Sequence, residues 1–161
     1  MSAAGSDAPS DCIDCAAGKY SVSGSSAVSE CIECAAGKYA AAASNFGCID
    51  CAVGKYSSTS GSDQAFDCID CDPGKYVETS GSSGCIDCAV GKYVEVFGSV
   101  AASDCIDCAA GKYLPVPGSD LASDCINCMA GKYLPVSASN ATSDCIDCDV
   151  GTLSLAGSDD A

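Results

Sequence analysis

Cysteine is the residue type in this chain whose spacing could do chemistry. All 16 cysteines of the 161 residues fall into eight Cys-x-x-Cys pairs, which recur every 17 to 20 residues from Cys12 to Cys148. Two thiols at this spacing can bind zinc, act as a dithiol redox centre or form disulfides with other pairs. A dithiol redox centre needs a βαβ setting, which this sequence does not predict. The choice therefore lies between zinc and disulfides.

Charge and composition favour disulfides over zinc. Eight pairs could supply four zinc sites of four cysteines each, and several spacings fit known zinc patterns. Each such site would carry a net charge of about −2. The chain already has a formal charge of −15, with seven lysines and no histidine. We therefore expect disulfides and no cofactor, and zinc is the minority alternative.

Two pairings of the cysteines fit the repeat. In a ladder, the second cysteine of each pair bonds the first of the next, which leaves Cys12 and Cys148 unpaired or bonded outside this chain. The other pairing joins the pairs two by two, Cys12–Cys31 with Cys15–Cys34, and leaves none over. The ladder is favoured because it treats all repeats alike and closes loops of about 15 residues, each worth roughly 3 kcal/mol. Its bonds are Cys15–Cys31, Cys34–Cys48, Cys51–Cys68, Cys71–Cys85, Cys88–Cys105, Cys108–Cys125 and Cys128–Cys145.

The cysteine pairs belong to a longer motif, Cys-Ile-Asp-Cys-x-x-Gly-Lys-Tyr, followed by a connector rich in Ser, Gly and Ala. Every isoleucine, lysine and tyrosine of the chain lies in one of the eight motifs. A unit of about 20 residues cannot bury enough apolar surface to offset its ordering entropy, so it needs covalent or metal crosslinks. The motifs, numbered 1 to 8, begin at Cys12, Cys31, Cys48, Cys68, Cys85, Cys105, Cys125 and Cys145.

Each motif residue has an expected role. Isoleucine should face inward, and the acidic residue after it should lie in solvent. The glycine should adopt a positive φ that reverses the chain after the second cysteine. Tyrosine should cover the disulfide or the isoleucine of its own unit, and lysine should contact a nearby acidic residue. The acidic position holds Asp14, Glu33, Asp50, Asp70, Asp87, Asp107 and Asp147, with Asn127 as the exception.

These features predict a small disulfide-rich repeat array: an elongated rod of about eight units, mostly irregular, with short two-stranded β ribbons and little helix. A rise of roughly 10–15 Å per repeat would give a rod on the order of 100 Å. Boundaries at the first cysteines give the end of a truncated repeat at 1–11 and repeats at 12–30, 31–47, 48–67, 68–84, 85–104, 105–124, 125–144 and 145–161, the last degenerate and truncated.

The motif, its Ser/Gly connector and the next cysteine pair resemble the ephrin-receptor-like cysteine-rich repeat, a relative of modules in tumour-necrosis-factor receptors. The resemblance covers nearly the whole chain from Cys12. It implies disulfide bonding, a secreted or ectodomain location and an elongated rod, and it favours the ladder. Two departures from the family are visible, because its usual proline is present only as Pro73 and Gly151-Thr152-Leu153 lacks the Lys-Tyr pair.

The termini indicate a piece of a longer array. Gly5-Ser6-Asp7 before Cys12 matches Gly118-Ser119-Asp120 in an internal connector, and 157–161 stops where another pair is expected. No signal peptide is visible at the N-terminus, so we expect the leader upstream. The predicted location is extracellular or a cell-surface ectodomain.

The leading functional prediction is a non-enzymatic extracellular spacer or stalk. Its partners would be other segments of the same polypeptide, with extracellular protein or glycan as further candidates. The alternatives are an adhesion module, with Val94–Phe97 and Leu114–Pro117 as candidate contacts, and an intracellular zinc protein. No catalytic residues are predicted, and the acidic charge argues against nucleic-acid and membrane binding. Asn140-Ala141-Thr142 is the one N-glycosylation signal.

Overall fold

Short strands recur at the same two places in each motif. The computed structural model describes residues 14–41 and 47–160, and all strands within those ranges are two residues long. They are β1 (Lys19–Tyr20), β2 (Ile32–Glu33), β3 (Lys38–Tyr39), β4 (Ile49–Asp50), β5 (Lys55–Tyr56), β6 (Ile69–Asp70), β7 (Lys75–Tyr76), β8 (Ile86–Asp87), β9 (Lys92–Tyr93), β10 (Ile106–Asp107), β11 (Lys112–Tyr113), β12 (Ile126–Asn127), β13 (Lys132–Tyr133) and β14 (Ile146–Asp147).

The strands form two-stranded antiparallel ribbons, each joining two successive motifs. β1 pairs with β2, β3 with β4, and so on to β13 with β14. The register is constant: the lysine of one motif lies opposite the acidic position of the next, and its tyrosine lies opposite the next isoleucine, as in Lys55↔Asp70 and Tyr56↔Ile69. The predicted class, a disulfide-rich repeat array with short ribbons and little helix, is confirmed.

The helical structure of the described residues is limited to 3₁₀ turns just before a first cysteine. Their bounds are Val28–Glu30, Ala65–Asp67, Ala102–Asp104, Ala122–Asp124 and Thr142–Asp144. In each turn the last residue is acidic, and its carboxylate accepts hydrogen bonds from free backbone N–H groups at the start of the turn. Asp104, for example, accepts from the N–H groups of Val100 (2.8 Å) and Ala101 (2.9 Å). Within the described ranges, no helix is long and apolar enough to cross a bilayer.

The chain divides into two compact units whose boundaries interleave. The first contains the described residues up to Asp70 together with Thr79–Cys85, and the second contains Cys71–Glu78 together with the described residues from Ile86 onward. Hydrogen bonds explain the interleaving. Gly81 N–H donates to the Cys51 carbonyl (2.8 Å) in the first unit, and Gly74 N–H donates to the Val94 carbonyl (2.8 Å) in the second.

Candidate functional site

The recurring site is a disulfide that joins consecutive motifs, here called a rung. Each rung links the second cysteine of one motif to the first cysteine of the next, with Cα atoms 5.5–5.8 Å apart. Cys71 and Cys85 are also disulfide-bonded. The six rungs within the two units are Cys15–Cys31, Cys34–Cys48, Cys51–Cys68, Cys88–Cys105, Cys108–Cys125 and Cys128–Cys145. These are bonds of the ladder, and none of the six has the two-by-two pattern.

Each rung of the second unit lies at the centre of a small apolar cluster. Cys108 and Cys125 pack with the buried side chain of Leu114, and Tyr93 of the preceding motif covers them. The same arrangement recurs around Val94 and around Leu134. Burying an aliphatic side chain of this size contributes about 1.5–3 kcal/mol, similar to one rung. A crosslink and one buried side chain together therefore replace a conventional core.

The buried side chain comes from the position directly after tyrosine, which was not predicted to be buried. Val94 and Leu114 were instead predicted to begin surface contact segments, and their burial removes both residues from those segments. The position after tyrosine is buried in six consecutive motifs although its residue type varies. Its occupants are Ala40, Ser57, Val77, Val94, Leu114 and Leu134. The aliphatic residues Val77, Val94, Leu114 and Leu134 at this position could have indicated its burial. Ala40 and Ser57 at the same position obscured that pattern.

Two predictions about side-chain packing were wrong. The seven isoleucines from Ile32 to Ile146 do not face inward, because the residue after tyrosine occupies the small buried volume beside the rung; Ile13 lies outside the described residues. Their exposed fractions run from 45% at Ile32 to 54% at Ile86. Tyrosine does not cover its own unit either. Tyr76 pairs with Ile86 of the following motif and packs against the rung that follows it, Cys88–Cys105.

Lysine contacts an acidic side chain, as predicted, and the partner belongs to the next motif. Lys55 Nζ lies 2.5 Å from Asp70 Oδ1, and both side chains are well exposed. Exposed pairs of this kind contribute about 0–1 kcal/mol. Lys112 is opposite Asn127 and has no ion pair among the described residues. The other pairs are Lys19–Glu33, Lys38–Asp50, Lys75–Asp87, Lys92–Asp107 and Lys132–Asp147.

The motif glycine has the predicted positive φ, between 76° and 91° in all eight motifs. It also forms a close backbone contact that was not predicted. A Cβ atom on Gly111 of motif 6 would lie 2.1 Å from the carbonyl oxygen of Gly157, which follows motif 8. Within each unit the same contact joins Gly18 to Gly61, Gly37 to Gly81, Gly74 to Gly118 and Gly91 to Ala138. Repeats within a unit therefore contact their second neighbours as well as their first.

Backbone hydrogen bonds between first neighbours position the connector that makes this second-neighbour contact. Gly157 N–H donates to the Cys128 carbonyl (2.9 Å), and Leu134 N–H donates to the Ser158 carbonyl (3.1 Å). Equivalent bonds recur through the described array, for example from Gly118 N–H to the Cys88 carbonyl (2.8 Å). Because these contacts use main-chain atoms, they place few demands on connector side chains.

The described residues offer few groups for catalysis or metal binding. Within them, no cluster of three or more His, Cys, Asp or Glu residues could hold a metal ion. A recess of about 460 Å³ is lined by Tyr20, Ile32, Glu33 and Lys38, but both charged residues are already ion-paired. Cys148 has a free, half-buried thiol whose Sγ lies 3.3 Å from Ser154 Oγ. Asn140 is exposed, and Cys12 lies outside the described residues.

The ribbons and rungs define the class: a tandem array of small, disulfide-crosslinked repeats. A family model described as "Tyrosine-protein kinase ephrin type A/B receptor-like" matches twice, at residues 21–68 and 62–105, which together span just over half of the chain. The chain therefore belongs to the ephrin-receptor-like cysteine-rich repeat family, as the resemblance predicted. No curated protein matches it. The family is a receptor-like cysteine-rich repeat rather than a catalytic domain, and with so many disulfides it fits an extracellular structural module.

Proposed function

We propose that this chain is a non-enzymatic extracellular spacer that carries mechanical load through its rungs. The observation supporting this is uniformity: each of the six described rungs joins consecutive motifs in the same way. Each of these disulfides crosslinks two cysteines that are 14–17 residues apart in the chain. A force applied between the ends would act on these bonds before it could extend the connectors.

Force spectroscopy on the whole chain, held by tags at its two termini, tests this function. The oxidised chain should resist lengthening through the connectors, because the rungs bridge them. When a reductant is added, each broken rung should release 14–17 residues. At roughly 3.3–3.6 Å per residue, less the span of the bond, this gives steps of about 40–55 Å. Full extension of the oxidised chain before reductant is added would refute a load-bearing role.

A second candidate function, adhesion to a protein or glycan, is supported by the connectors of the second unit. Val96, Phe97 and Val116 are exposed there. The connector positions equivalent to Val96 and Phe97 in the first unit are occupied by the polar residues Thr59 and Ser60. Exposed apolar residues that differ between repeats are typical of a contact surface.

The adhesion candidate predicts that Phe97→Ser combined with Val116→Ser weakens attachment to cells or matrix without changing the circular dichroism spectrum. Thr59→Ala in the first unit is the matched control and should leave attachment unchanged. Equal attachment by the double variant and the wild type would exclude this surface.

A further inference from the structure

We propose that Asn140 is a site of N-linked glycosylation. The inference rests on the proposed extracellular function, because the transferase acts in the lumen of the secretory pathway. Asn140 immediately precedes the residue that caps the turn Thr142–Asp144, and both Asn140 and Thr142 are exposed. The Asn140 backbone N–H donates to Asp144 Oδ2 (3.3 Å). Its side-chain amide has no hydrogen-bond partner in the described part of the chain, so Nδ2 is open to a transferase.

A comparison of equivalent positions separates this tripeptide from the other connectors. Asn140 lies five residues before Cys145, the first cysteine of motif 8. The equivalent residues before Cys105 and Cys125 are Val100 and Asp120. Two residues later the preceding repeats have alanine, where this repeat has the hydroxyl residue Thr142. N-glycosylation requires both asparagine and the hydroxyl residue. Both changes therefore occur together in a single repeat, at an exposed turn.

The turn also lacks a side-chain hydrogen bond that the two preceding turns have. Glu78 Oε1 accepts from Ala102 N–H (2.9 Å), and Glu95 Oε1 accepts from Ala122 N–H (3.0 Å), so a carboxylate reaches across these two turns. The position equivalent to Glu95 in the next motif is Pro115, which has no carboxylate. No side chain bonds to the Thr142 N–H among the described residues. A glycan on Asn140 would consequently displace no contact between repeats.

The transfer itself uses a lipid-linked oligosaccharide as donor. The Asn140 amide nitrogen forms a bond to the anomeric carbon of the first N-acetylglucosamine. The bond from that carbon to the lipid pyrophosphate breaks, and the lipid pyrophosphate leaves with the bonding electron pair. One amide proton passes to the base of the transferase. The asparagine backbone is unchanged, so its hydrogen bond to Asp144 can persist.

The test is secretion of the whole chain from eukaryotic cells behind an added leader, followed by intact mass measurement with and without peptide-N-glycosidase. The wild type and Thr142→Ser, which keeps the acceptor signal, should lose a glycan mass on digestion. Asn140→Gln and Thr142→Ala should show no such mass. Ser143→Ala is the matched control in the same turn and should behave as the wild type.

Alkylation of the same unreduced samples tests the proposed function separately. If the cysteines of the rungs resist alkylation but the wild type has no glycosidase-sensitive mass, Asn140 is not a glycosylation site and the extracellular disulfide module stands. A glycan that persists in Asn140→Gln would also overturn the assignment. Full alkylation without reductant would refute the disulfide-based function, whatever the glycan result.

Discussion

Replacement of Gly111 by alanine should open the contact between a repeat and its second neighbour. The new Cβ would lie 2.1 Å from the Gly157 carbonyl oxygen and 2.6 Å from its carbonyl carbon. Neither atom can move as a flexible side chain could, because both belong to the backbone. The backbone segments around Gly111 and Gly157 must therefore separate. As Gly157 moves, the hydrogen bond from its N–H to the Cys128 carbonyl must weaken.

Gly131→Ala is a matched control for the strain at positive φ. Gly111 and Gly131 both have φ of 82°, but a Cβ on Gly131 would meet nothing within 4 Å. Both variants should lose about 1–2 kcal/mol because alanine is strained in the left-handed region. Only Gly111→Ala should lose a further 1–3 kcal/mol, roughly, through steric overlap. The difference between the variants therefore isolates the repeat-to-repeat contact.

Hydrogen exchange of the oxidised protein is the appropriate assay, because repeat arrays need not unfold in one cooperative step. The amides of Gly157 and Leu134 form hydrogen bonds between repeat 7 and the connector after motif 8, to the Cys128 and Ser158 carbonyls, and these bonds position the Gly157 carbonyl that the new Cβ would displace. In Gly111→Ala they should exchange roughly 5- to 150-fold faster than in Gly131→Ala. Equal exchange rates at these amides in both variants would mean that the contact contributes nothing to local stability.

Three further predictions follow from the rungs and ribbons. Leu114→Ala should lower the local stability around the Cys108–Cys125 rung by about 2–5 kcal/mol in hydrogen exchange, because it leaves a cavity beside that rung. The exposed Leu121→Ala should change local stability by no more than about 0.5 kcal/mol, and equal effects of the two variants would contradict the cluster. Asn127→Asp should add the missing ion pair with Lys112 and stabilise by at most about 1 kcal/mol in low salt, a gain that high salt should remove. A gain that persists in high salt would contradict this pairing. Non-reducing peptide mapping should recover the six described rungs and an alkylated Cys148, whereas bonds between first cysteines of neighbouring motifs would establish the two-by-two pairing.

The features that the sequence could predict are those that repeat with fixed local spacing. The distance between cysteine pairs varies only from 17 to 20 residues, so the six rungs in the described residues form in the same way. The glycine after each pair indicated a chain reversal, and its φ in the structure is positive. Lysine and the acidic residue recur at complementary positions, and their contact was predicted correctly. Each of these inferences needed only one repeat and its immediate neighbour.

The features that were missed depend on how successive repeats lie against each other. A two-residue ribbon has no periodicity from which its buried face can be read. Ile86 was therefore predicted to be buried, whereas Val94, which lies beside the rung, was not recognised. The contact between Gly91 and Ala138 spans two motifs and is made through the backbone, so no side-chain pattern marks it. Ala138 adopts a φ of 59°, which makes it the only non-glycine with positive φ among the described residues.

Contacts through the backbone also explain how the connectors can diverge without disturbing the array. The connector after motif 3 has Ser58-Thr59-Ser60, and the connector after motif 6 has Pro115-Val116-Pro117, yet Gly61 and Gly118 occupy equivalent second-neighbour contacts. Since main-chain atoms make those contacts, the connector side chains are free to vary in polarity and in modification. An exposed apolar residue such as Val116 or an exposed Asn140 can therefore differ from repeat to repeat, while the rung beneath it stays the same.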